Sequence, residues 1–145
     1  MSGYLVLVVG AVVPAFLWGI TGIFQKQSAV LGLNPFQYMA VLGLVVALTG
    51  GLGMLVYRGG SWPAPAVGHA LLAGLAYSLA TALMSLALWR YGVPISKLAP
   101  ILSCNVLVTV AIGALFLNEG AELNLVQLTL GTLLIVGGAV LVARA

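Results

Sequence analysis

Apolar positions along this chain neither alternate nor recur on one helical face. They run on almost unbroken in five stretches: 3–24, 35–57, 67–89, 95–117 and 123–143. A helix rising 1.5 Å per residue needs ~20 mostly apolar residues to cross a ~30 Å hydrocarbon core, and each stretch meets that length. The breaks between them are short. Gly32 to Pro35 reads as a tight turn, and Arg58-Gly59-Gly60-Ser61-Trp62-Pro63-Ala64-Pro65 as a Gly/Pro loop that no helix crosses. Arg90-Tyr91-Gly92-Val93-Pro94 closes the third stretch, with Pro94 placed for the first turn of the fourth. Asn118-Glu119-Gly120-Ala121-Glu122 is the last hydrophilic turn. The pattern predicts an all-α integral membrane protein, a bundle of about five transmembrane helices. No connector is long enough for a separate domain, so residues 1–145 read as one transmembrane domain.

Composition agrees. The chain is 63% hydrophobic and 5% charged, whereas a soluble domain carries roughly 25% charged residues to face water. Its solvent is therefore the lipid bilayer. The net charge of +3 is no nucleic-acid signal, because the basic residues are scattered rather than clustered on one face. Tyr4, Tyr38, Tyr57, Trp62, Trp89 and Tyr91 lie near the ends of the stretches, as an interfacial belt requires. Met1-Ser2-Gly3-Tyr4 has no basic region of a signal peptide, so the first stretch reads as a retained helix. Five spans place the termini on opposite sides. Lys26, Arg90, Lys97 and Arg144 then share one side and Arg58 lies on the other. The positive-inside rule puts the N-terminus outside and the C-terminus in the cytoplasm of a cell inner membrane. The bias is small and leaves insertion in both orientations open.

Polar side chains inside the stretches are the candidates for chemistry, since each is costly in lipid unless partnered. Ser78, Thr81 and Ser85 share a face of the third helix, flanked by Tyr77. They read either as the wall of a polar cavity or as hydroxyls bonding back to their own helix. Asn105, with Thr109 one turn on, lies near mid-membrane in the fourth stretch. Its amide needs an interhelical partner, a water or a ligand. Lys26 ends the first stretch, after Trp18, Thr21 and Gln25. Snorkelling to the interface is one reading, and a cation lining a solute path with Trp18 and Thr21 is the other. His69 reads as interfacial, and the single cysteine, Cys104, as a small buried hydrophobe.

Small residues offer packing surfaces. Gly43, Ala47 and Gly51 form a small-xxx-small stripe in the second helix, and Gly131 and Gly138, beside Gly137, lie along one side of the fifth. Either stripe serves helices within the chain or between chains in a dimer. Pro14, inside the first stretch, removes a backbone donor and frees the carbonyl of Gly10. One histidine, one cysteine and two carboxylates give no metal site, catalytic dyad or nucleophile, and the glycines sit in apolar spans rather than in a phosphate-cradling loop. No cofactor is expected, and an enzyme is the least favoured class.

The segments Ala87-Leu88-Trp89-Arg90-Tyr91-Gly92-Val93-Pro94-Ile95-Ser96 and Ala99-Pro100-Ile101-Leu102-Ser103 resemble the junction of the third and fourth helices in EamA-like proteins of the drug/metabolite transporter superfamily. Leu117-Asn118-Glu119, followed by Leu123, Gln127, Gly131 and Gly137, looks like that family's last loop and fifth helix, and Trp18-Gly19 with Lys26 is similar to its first. The resemblance implies a single five-helix repeat unit. Typical members carry two inverted repeats and move small metabolites or drugs by alternating access. Two departures stand out. The first helix lacks the membrane-embedded glutamate of the small multidrug resistance proteins, and no arginine stands near Leu42 in the second. Secondary transporters form their sites between inverted repeats. One five-helix unit therefore implies a homodimer, antiparallel in one version, or a paired homologous chain acting on a small-molecule substrate. A non-transporting scaffold subunit and a lipid-linked carrier flippase component are the competing readings.

Overall fold

The computed structural model describes residues 5–6, 8–116 and 124–144, and no strand occurs among them. The side chains of 8, 114–116 and 125 are not described. Five helices are long and apolar enough to cross a membrane: Val9–Val30, Pro35–Val56, Ala64–Arg90, Ile95–Gly113 and Val126–Arg144. The protein is thus an all-α, multi-pass membrane protein. The predicted helix ends at 3, 117 and 123, Tyr4 and the 118–122 turn lie outside the described residues. The contacts divide the chain into two units, 1–92 and 93–145.

In the first unit a π-helical turn, Val8–Val12, leads into α1, Val13–Val30, followed by α2, Pro35–Val56, and α3, Ala64–Arg90. The wide turn lies where Pro14 withholds its N–H from the carbonyl of Gly10, and an i→i+5 turn is one way a helix absorbs such a gap. α1 continues six residues beyond the predicted end at 24. The apolar run stops there, but Gln25, Lys26, Gln27 and Ser28 are compatible with a helix and nothing caps it until Gly32. The N–H of Leu33 then bonds the Ser28 carbonyl at 3.0 Å and that of Gly32 bonds Ala29 at 3.2 Å. This paired closure needs a left-handed residue, which Gly32 supplies at φ +97. Asn34 immediately caps α2: its Oδ1 accepts from the N–H of Phe36 and Gln37, while Gln37 Oε1 accepts from the N–H of Asn34. α3 begins at Ala64 rather than 67, because Pro65 in a first turn forfeits no hydrogen bond. α3 packs on both α1 and α2, which barely touch each other.

The second unit holds α4, Ile95–Leu102, α5, Asn105–Phe116, and α6, Leu125–Arg144, with α4 against α6. The predicted continuous helix 95–117 is therefore interrupted. Pro100 denies the Ser96 carbonyl its partner. The next turn tightens: Cys104 N–H bonds Ile101, Val106 bonds Ser103 and Leu107 bonds Cys104, each three residues back. Pro94 stands at the N-cap of α4, one position before the first turn. Asn124 caps α6 through an Oδ1 bond from the Gln127 N–H at 3.2 Å.

Candidate functional site

α1 and α3 are separated by two reversals and so run in the same direction. Their contact is polar. Gln25 Nε2 donates to Ser85 Oγ at 2.7 Å, a buried bond between side chains sixty residues apart. Gln25 is 6% exposed, Ser85 3%, Thr81 9% and Leu88 2%. Gln25 and Ser85 join the two helices toward their C-terminal ends, where Thr81 and Leu88 of α3 are also buried. Such a bond in a membrane bundle is worth ~0.6 kcal/mol on average and ~1.7 at most, so it holds the helices reversibly.

The hydroxyls elsewhere behave differently. Thr21 bonds back to Leu17, Ser28 to Phe24, Thr49 to Val45, Ser103 to Ala99, Thr109 to Asn105 and Thr132 to Leu128. Each neutralises its own polarity within one helical turn. Gln25 has no such local route.

The same faces become uncovered toward the helix starts. Trp18 lies two turns before Gln25, within ~20° of it around the helix, yet is 74% exposed. Tyr77, one turn before Thr81, is 55% exposed. Between these extremes Thr21 and Ser78 are half-buried. The α1–α3 contact is therefore polar and buried at Gln25 and Ser85, while Trp18 and Tyr77, nearer the helix starts, are exposed. Lys26 is half-buried at the edge of this α1 face, beside Gln25 and inside the helix rather than at its end.

Among the sequence candidates the structure thus joins Gln25 to Ser85, buries Thr81 one turn before Ser85, and leaves Thr21 and Ser78 half-buried and Trp18 and Tyr77 exposed. Asn105 belongs to the second unit, where its side chain is exposed and its carbonyl accepts the Thr109 hydroxyl. His69 is exposed and its Nδ1 meets the Pro65 carbonyl at 2.7 Å. Cys104 is half-buried in the bend between α4 and α5. The small-residue stripes lie open: a Cβ added to Gly43, Gly51, Gly131 or Gly138 would meet no atom within 4 Å, and Ala47 is exposed. A shallow groove of about 650 Å³ along α6 is lined by Leu133, Leu134, Gly137, Gly138, Val140 and Leu141. It offers no polar side chain to orient a solute. Among the described residues no three His, Cys, Asp or Glu side chains converge on a metal position.

The Gln25–Ser85 bond itself escapes a span-by-span reading. Its trace in the sequence is a matched pair of ladders, Thr21/Gln25 and Thr81/Ser85, with equal four-residue spacing on two parallel helices. Comparison with family models, curated proteins and solved structures finds no match to this chain.

Proposed function

We propose that this protein is a secondary transporter of small organic metabolites or drugs, acting as a dimer of five-helix units by alternating access. The observation that carries the reading is the α1–α3 seam: a polar contact between two apolar spans, held by one hydrogen bond between side chains. A structural bundle gains more from apolar packing than from a buried amide in lipid. A solute path needs polar groups there and a contact that parts easily. The resemblance to EamA-like proteins points the same way.

In this reading Trp18, Thr21, Gln25, Tyr77, Ser78, Thr81 and Ser85 line the path. Lys26 stands at its edge. The open stripes at Gly43, Ala47 and Gly51, and at Gly131 and Gly138, are the surfaces on which a second copy or a homologous chain seats. A site between inverted units is the arrangement other secondary transporters use.

The test is reconstitution. Purified protein in liposomes, offered a broad panel of radiolabelled metabolites, moves at least one solute faster than empty liposomes do. Lys26→Ala alters that flux and shifts the host's sensitivity to toxic solutes. No flux across the panel, together with unchanged sensitivities, sinks the proposal. A foreign membrane protein co-purifying at fixed stoichiometry points instead to an accessory subunit.

A further inference from the structure

The α1–α3 seam makes a specific demand on whatever passes it. Among the described residues no buried side-chain nitrogen or oxygen lacks a partner. Parting α1 from α3 breaks the 2.7 Å bond between Gln25 and Ser85 and leaves a buried amide N–H and hydroxyl oxygen without that partner. Ser85 can bond back to its own helix, as Thr21 and Ser28 do. The Gln25 amide has no equivalent local partner, so the larger penalty falls on it.

A solute removes that penalty only by replacing the broken bond. With the Ser85 O–H turned back to its own helix, the solute must present an acceptor to Gln25 Nε2 and a donor to Ser85 Oγ from a single compact head. A carboxamide does both. A quaternary ammonium does neither. The only two carboxylates in the chain, Glu119 and Glu122, lie between the fourth and fifth apolar stretches, so none stands within a span to neutralise a cation. The exposed ring of Trp18, two turns before Gln25 on the same side of α1, supplies a flat apolar approach for the body of the molecule.

We infer that the transported solute carries a neutral head that both donates and accepts hydrogen bonds, of the carboxamide type, and that this head takes the place of the Gln25–Ser85 bond. The inference rests on the transporter reading above. Solute entry and separation of α1 from α3 are then one event, because the seam opens without stranded polar groups only when the solute is present.

Trp62→Phe with Trp89→Phe leaves Trp18 as the single fluorescent reporter, two turns before Gln25. Titration of this protein in micelles with cyclohexanecarboxamide gives a saturable change in emission. Cyclohexyltrimethylammonium gives only the linear drift seen in empty micelles. Ser85→Ala weakens the carboxamide response about tenfold, the scale of one lost buried hydrogen bond. Thr49→Ala, on an exposed face of α2, leaves it unchanged. Ser85→Cys keeps the side-chain volume with a poorer acceptor, and reports the same loss should Ser85→Ala disturb folding. Saturation by the ammonium alone overturns the solute class while leaving the transporter reading intact. Saturation by neither, with helicity unchanged by circular dichroism, also overturns the inference, and the liposome panel then decides the transporter reading separately.

Discussion

At the scale of single residues, polar side chains in this membrane protein divide by reach. Thr21, Ser28, Thr49, Ser103, Thr109 and Thr132 are short enough to bond the carbonyl one turn back. Gln25 reaches outward to Ser85. Removing a back-bonded hydroxyl therefore changes little, whereas removing Ser85 strands the Gln25 amide. In a double-mutant cycle on Gln25→Leu and Ser85→Ala, read by unfolding in mixed micelles, the coupling energy is ~0.6–1.7 kcal/mol. Thr49→Ala shifts stability by less than ~0.5 kcal/mol. Strictly additive effects of Gln25→Leu and Ser85→Ala would mean the bond contributes nothing. The sequence singles out Gln25, Thr81 and Ser85 because polar groups in apolar runs are conspicuous. It does not reveal that Gln25 meets Ser85, since a partner sixty residues away depends on which helices pack and at what height.

At the scale of elements, the number and type of spans are legible because lipid demands long apolar helices and little else. Their ends are less so, because helix ends are set by caps. Gly32 with Leu33 stops α1 well after hydropathy has fallen, and Asn34 with Gln37 starts α2 at once. Proline shows the same dependence on position. Pro65 sits harmlessly in the first turn of α3, Pro14 coincides with a widened turn, and Pro100 precedes the interruption between α4 and α5. Pro100→Ala restores the donor for the Ser96 carbonyl and joins α4 to α5. Spin labels at Ser96 and Ile112, measured by pulsed dipolar spectroscopy, then move apart toward ~24 Å, the rise of a straight sixteen-residue interval. An unchanged distance would place the cause of the bend outside Pro100.

At the scale of the whole molecule, the sparse charges govern how the chain sits in the bilayer. The asymmetry of Lys26, Arg90, Lys97 and Arg144 against Arg58 is small, and Lys26 lies on the partly covered face of α1 rather than in a loop. Counting it out reduces the bias further. An antiparallel homodimer needs chains inserted both ways. With Cys104→Ala and a single cysteine at Ser2 or Ala145, an antiparallel dimer requires that an impermeant thiol reagent on intact cells label each terminus in about half of the molecules. Labelling of the N-terminus alone means parallel chains, and an inverted partner chain must then be sought.

The pairing of Gln25 with Ser85 also sets a schedule for biogenesis. Most spans carry hydroxyls already satisfied within their own helix, so each can leave the translocon as it is made. The first span cannot discharge its amide until the third has emerged, sixty residues later. At ~5–20 residues per second that is a wait of roughly 3–12 s. The first unit is thus complete only once its third helix has been made.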